Sequence, residues 1–84
     1  MKLLRHVDLS FNELTDVALE IFAKFLERCP NLESLNLQGN VLGAASAELL
    51  SSALAHSESL KYLNLQYNKV GTAGAIVLVT ALRA

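Results

Sequence analysis

The nine residues Leu4-Arg5-His6-Val7-Asp8-Leu9-Ser10-Phe11-Asn12 return 28 positions later as Leu32-Glu33-Ser34-Leu35-Asn36-Leu37-Gln38-Gly39-Asn40, and again as Leu60-Lys61-Tyr62-Leu63-Asn64-Leu65-Gln66-Tyr67-Asn68. A fixed period in the twenties carrying L-x-x-L-x-L-x-x-N marks a strand-plus-helix unit that cannot bury its apolar face alone. Such units have to stand side by side. Most of what the chain can do follows from that stacking.

Within each unit, Val7-Asp8-Leu9, Leu35-Asn36-Leu37 and Leu63-Asn64-Leu65 alternate apolar and polar residues, the period-2 pattern of a half-buried strand. Stacking puts these strands about 4.8 Å apart in one parallel sheet, with the leucines inward and the intervening side chains on a concave face. An asparagine follows each strand, at 12, 40 and 68. There the chain turns inward and leaves backbone groups without ladder partners. A side-chain amide both donates and accepts, so a column of asparagines is expected to bond turn to turn.

The second half of each unit changes to period 3.6. In the first, Val17, Ile21, Phe22, Phe25 and Leu26 are expected to face inward, with Glu20, Lys24, Glu27 and Arg28 outward. In the second, Ala45, Leu49, Leu50, Ala53 and Leu54 are expected inside, with Glu48, Ser51 and Ser52 outside. Thr15-Asp16 offer side-chain oxygens to cap the first helix, Gly43 and Gly71 occupy the corresponding turns, and Pro30 follows the first helix. Phe22 and Phe25 give way to Leu50 and Ala53, then to Leu78 and Ala81. The first helix is therefore expected to stand farther from the sheet or to fill an end without a neighbour; the alternative is ordinary packing variation.

Composition narrows the options. With 84 residues the chain is expected to form one small domain, 1–84, with repeats at about 4–31, 32–59 and 60–84. Its 52% apolar content includes 18 Leu and 11 Ala, which fits aliphatic ladders with small residues where layers approach closely. No stretch approaches the ~20 apolar residues of a spanning helix, and Arg5 and Asp8 interrupt the start too early for a signal peptide. No membrane role is expected. A net charge of −1, with basic residues dispersed, gives no field for nucleic acid. Cys29 is the only cysteine, so an internal disulfide is excluded and a reducing, cytoplasmic location is the default.

The repeated residues resemble the leucine-rich repeats of the ribonuclease-inhibitor type, whose 28-residue unit carries L-x-x-L-x-L-x-x-N-x-L followed by a full α-helix. Leu14, Leu42 and Val70 supply the position after the asparagine, while Ala18, Ser46 and Gly74 stand where that class has glycine. The resemblance implies an α/β leucine-rich-repeat solenoid. This is a right-handed β-α superhelix with a parallel sheet on the concave face and helices on the convex face. Related proteins include enzyme inhibitors, cytosolic immune receptors, actin-associated proteins and activators of the small GTPase Ran; they share a scaffold, and a scaffold does not assign a job. Such arrays usually carry more repeats and polar caps. The expectation is either that the chain is a piece of a longer array or that another chain covers its ends. Ala75-Ile76-Val77-Leu78-Val79 is apolar on more than one face, which points to coverage by missing sequence or by self-association through the third helix.

The expected partner-binding residues are the outward ones: Arg5, His6, Asp8 and Phe11 from the first unit, Ser34, Asn36 and Gln38 from the second, and Tyr62, Asn64, Gln66 and Tyr67 from the third. Aromatic residues and arginine are enriched among residues that dominate binding energy, which favours Tyr62, Tyr67, Phe11 and Arg5. Catalytic chemistry finds little support. His6 and Asp8 project from one strand face, yet Ser10 lies farther along and Cys29 belongs to the helix exit, so no nucleophile completes the set. His56 lies across the unit from His6, so no metal site is expected. Gly71-Thr72-Ala73-Gly74 lacks the lysine of a phosphate cradle, and no cofactor is expected. The sequence therefore predicts a non-catalytic protein-interaction module. The alternatives are a regulator of an enzyme, acting through Glu13, Asp16 or Lys69 in the turns, and an array fragment whose main property is stacking.

Overall fold

A computed structural model describes residues 3–55 and 57–71. Strand β1 spans His6–Asp8, helix α1 Asp16–Leu26, strand β2 Ser34–Asn36, helix α2 Ala44–Leu54 and strand β3 Tyr62–Asn64. The three strands form a parallel sheet in chain order. His6 aligns with Ser34 and Tyr62, Val7 with Leu35 and Leu63, Asp8 with Asn36 and Asn64. The register is the sequence period itself, and α1 and α2 pack side by side. This is an α/β leucine-rich-repeat solenoid.

Burial follows position in the stack. Leu32, Leu35, Leu37 and Leu42 of the middle unit are all fully buried. Their counterparts, Leu4, Val7, Leu9 and Leu14 on one side and Leu60, Leu63, Leu65 and Val70 on the other, are only partly buried against them. The same leucine thus contributes more in the middle than at either flank, because burial comes from neighbouring units and scales with apolar area removed from water.

Both helices are turned relative to the faces expected from sequence. In α1 the buried residues are Leu19, Ala23 and Leu26, whereas Val17 and Ile21 are 75% and 73% exposed. In α2 the buried set is Ser46, Ala47, Leu50, Ser51 and Leu54; Ala45 is exposed and Leu49 only partly covered. At 100° per residue the two inward stripes correspond, and they lie roughly a third of a turn from the expected one in α1 and a quarter turn in α2. Two chemical facts make this orientation acceptable. The Ser51 hydroxyl donates to the Ala47 carbonyl at 2.8 Å and the Ser46 hydroxyl donates to Asp16, so neither is buried unpaired. Small side chains at Ala23, Ser46, Ala47 and Ser51 also occupy the inward stripes, where long ones would hold the helices apart.

Phe22 and Phe25 are partly buried against the core and stack on one another, with ring centroids 5.7 Å apart. Leu50, the counterpart of Phe22, is fully buried, so the larger ring occupies the more open place. Cys29 is a buried free thiol whose Sγ donates to the Phe25 carbonyl at 3.4 Å, a packing role. The third helix, with its run Ala75 to Val79 and its expected self-association, lies outside the described residues, as do Gly74 and His56.

Two substitutions test the burial pattern, the second separating the observed face of α1 from the expected one. Leu37→Ala is expected to cost about 2–5 kcal/mol of unfolding free energy. Ile21→Ala, on the exposed side of α1, is expected to change stability by no more than about 0.5 kcal/mol. Urea denaturation of both variants measures the contrast.

Candidate binding face

The face of the sheet turned away from the helices carries side chains in columns, one residue from each strand. The first polar column is His6, Ser34 and Tyr62, where the His6 Nδ1 and the Ser34 hydroxyl lie 2.9 Å apart. The second is Asp8, Asn36 and Asn64. Each of these uses its Oδ1 to accept the N–H of the residue two positions on: Ser10 at 2.9 Å, Gln38 at 3.0 Å and Gln66 at 2.9 Å. These Asx turns end every strand at the same place and fix which atom of each side chain faces its own backbone.

His6 and Asp8 do not form a pair. His6 contacts Ser34, while Asp8 Oδ1 accepts from both the hydroxyl and the N–H of Ser10. The Ser10 hydroxyl bond, and then its backbone bond, hold the Asp8 carboxyl below the usual carboxylate value, outweighing a small opposing effect of desolvation. Asp8 is therefore an ionised acceptor at neutral pH, not a proton shuttle. Among the described residues no group of three or more His, Cys, Asp or Glu is gathered as a metal site.

On β3 the Asn64 Nδ2 donates to the Tyr62 hydroxyl oxygen at 3.0 Å and to Gln38 Oε1 at 3.3 Å. Tyr62, Leu63, Asn64, Leu65 and Gln66 line a shallow depression of about 240 Å³ along this strand. At the strand entrances Arg5 and Glu33 form an exposed ion pair at 3.8 Å, with Lys61 the third member of that column. Such a pair contributes little in water.

Beyond the strands, Phe11, Gly39 and Tyr67 share a left-handed backbone, with φ of 55°, 71° and 59°. The Phe11 ring lies over Gly39, so a Cβ there would come within 2.3 Å of it. Phe11 is thus committed to covering a neighbour although 66% exposed, whereas Tyr67, 76% exposed, presents its ring. Of the sequence-chosen residues, Arg5, His6, Asp8, Tyr62, Gln66 and Tyr67 are exposed on this face or its rim, and Ser34, Asn36, Gln38 and Asn64 are half-buried between columns.

Behind the face run the asparagines. The Asn40 Oδ1 accepts the N–H groups of Asn12 and Leu14, at 3.0 and 2.9 Å, and its Nδ2 donates to the carbonyls of Leu9 and Leu37, at 3.0 and 2.9 Å. Asn68 repeats the plan against Leu42 and Leu37. Only 6% of Asn40 is exposed.

Asp16 has a different role from the one its sequence position suggests. Thr15, at the N-cap of α1, makes no side-chain cap bond, and Gly43, at the N-cap of α2, has no side chain to make one. The Asp16 Oδ1 instead accepts the Gly43 N–H at 2.9 Å, the Ser46 N–H at 3.2 Å and the Ser46 hydroxyl. A carboxylate from one unit thereby caps the helix of the next, where the helix dipole also favours negative charge. The cue was a glycine N-cap one period after Thr15, the neighbour of Asp16, meaningful only once the units are stacked in register.

The parallel sheet, the backing helices and the asparagine column define a class of scaffold in which a rigid face is assembled from repeated units. The leucine rich repeat family matches residues 1–23, 28–51 and 56–79, and the chain belongs to it. A comparison with curated proteins finds no match. Among solved structures the chain is similar to leiomodin-1 actin-binding site 2, with a TM-score of 0.80 and 19% identity. The similarity covers 98% of this chain and 49% of that one, so the chain spans about half the length of that structure. A likeness at that identity shows the fold.

The Ser46 hydroxyl first, and then the backbone donors, hold the Asp16 carboxyl below its ordinary value, with desolvation opposing them. A carboxyl depressed in the folded state contributes stability that is present above its unfolded value and lost as pH falls through its folded one. Asp16→Ala is expected to cost about 0.5–2 kcal/mol at neutral pH. That difference should shrink as pH falls below about 4, where the unfolded chain begins to take up the proton, and vanish once pH passes through the lower folded value. Denaturant midpoints of both proteins across pH 3–7 measure it.

Proposed function

We propose that this chain is a non-catalytic protein-interaction module of the ribonuclease-inhibitor repeat type, working in the cytoplasm as one domain and holding a protein partner against its concave sheet face. The observation that carries this reading is the outward row from His6 to Asn64, held in place by bonds among its own side chains and to its own strands. A pre-ordered face loses little side-chain entropy on binding. The partner-binding residues proposed are Arg5, His6, Asp8, Phe11, Ser34, Asn36, Gln38, Tyr62, Asn64, Gln66 and Tyr67, with the two tyrosines as principal contacts. No helix among the described residues is long and apolar enough to cross a membrane. The regulator reading loses ground because Asp16, one of its few charged turn residues, is engaged with α2.

The likeness to leiomodin-1 actin-binding site 2 makes actin the first partner to test. Binding of the purified chain to monomeric and filamentous actin is expected. Changing Tyr62 and Tyr67 together to alanine should weaken it by roughly fivefold or more, the effect of losing at least ~1 kcal/mol. Val17→Asp, on the helical side, should leave it unchanged. Loss of binding in the helical variant with retention in the tyrosine variant rejects the sheet face, and no binding by the parent rejects actin.

A further inference from the structure

We infer that a second copy of this chain pairs with the outer edge of β1, antiparallel and about a two-fold axis at Val7. The sheet order β1-β2-β3 puts β1 at an edge, with no strand on its outer side among the described residues. Along a strand the backbone groups of one residue point to one side and those of the next to the other. The Arg5 carbonyl accepts from Glu33 and Ser34, the Leu9 N–H donates to Asn36, and Val7 aligns with Leu35, so these three turn their groups toward β2. Those of His6 and Asp8 are directed away from β2, and an edge of this kind is a template for another strand.

The sequence selects the strand and its register. With the axis at Val7, His6 of each copy stands opposite Asp8 of the other, and each such pair exchanges its N–H and C=O bonds. An axis at Asp8 would set two carboxylates face to face, which destabilises a cross-strand pair, and one at His6 would leave Asp8 opposite Leu4. The side chains are already placed for the Val7 register, since both are exposed on the same sheet face. His6 Nδ1 faces the Ser34 hydroxyl at 2.9 Å and Asp8 Oδ1 takes both Ser10 bonds, so Nε2 and Oδ2 are the atoms that meet. Opposite a carboxylate the imidazole carries its proton on Nε2 and accepts the Ser34 hydroxyl at Nδ1. Two groups that do not bond each other within one chain thus pair twice between two chains.

The flank behind the edge is apolar. Leu3 is 89% exposed, and Leu4, Leu14, Phe22 and Phe25 are only partly buried. By helical rotation Phe22 and Phe25 lie on the side of α1 away from Asp16, the residue that bonds α2. A two-fold axis along the sheet normal sets this flank against its own copy and keeps both helical layers on one side. Such an isologous contact closes after two chains. Tyr62 and Tyr67 stand at the far ends, so the dimer shows the proposed binding face twice, although the pairing does not rest on that proposal.

Light scattering of the purified chain across a concentration series is expected to show a monomer–dimer equilibrium. His6→Glu, which sets carboxylates opposite one another, and Asp8→Lys, which removes the acceptor, should each weaken the dimer by roughly tenfold or more. Mixed in equal amounts the two variants should associate, because each supplies the charge the other needs and one original His6–Asp8 pair is restored. Val7→Cys, on the axis, should cross-link to its own copy on oxidation, since opposed residues of a non-hydrogen-bonded antiparallel pair have Cα atoms about 4.5 Å apart. A parent that stays monomeric, a dimer indifferent to both charge variants, a mixture that stays apart, or a dimer without that cross-link overturns the inference.

Discussion

The bond network of the buried Asn40 side chain is the constraint on which the stack depends. At each unit the chain leaves a strand and turns inward, and the backbone groups of that turn are cut off from both water and the ladder. One amide meets this need for two units at once, with its oxygen on the turn N–H groups of the preceding unit and its nitrogen on the carbonyls of both. No other side chain of that size offers both roles on a planar group. Where a buried polar group loses its partner the cost falls on every group it served. The leucines supply the driving force for stacking, but the asparagine decides that units stack at one height.

The period made the architecture legible before any coordinates. Strand positions, parallel pairing, register and the asparagine column all follow from aligning residues 28 apart, because stacking turns sequence spacing into spatial neighbourhood. The helix faces were not legible to the same degree. Val17, Leu19, Ile21, Phe22, Ala23, Phe25 and Leu26 allow two apolar stripes, and periodicity alone does not choose between them. Connections at both ends of each helix fix its rotation, and they brought Leu19 and Ala23 inward and left Val17 and Ile21 outside. Ser51 misled for a related reason, since a serine that bonds its own helix is no longer polar toward its surroundings.

The binding face was legible as a set of outward residues and not as a set of roles. Asp8, Asn36 and Asn64 read as free polar groups, but each is the anchor of an Asx turn. Phe11 read as the equal of Tyr67, but it lies over a glycine of the adjoining unit. Asp16 read as the cap of its own helix. In each case the misreading has one cause: the bonding partner lies in the backbone or in the neighbouring unit, and a strand pattern shows neither.

The Phe11 ring resting on Gly39 also gives the units an order. The ring of the first unit rests where the second has no side chain, so a successor carrying one there would have to displace the ring, and the reverse arrangement does not offer the same joint. Nor does tandem copying of the first unit, since the Cβ of the copied phenylalanine would meet the ring of the original. Repeats that look interchangeable in an alignment of their leucines therefore differ at their joints, where the ring of one unit and the missing side chain of the next fit each other in one order.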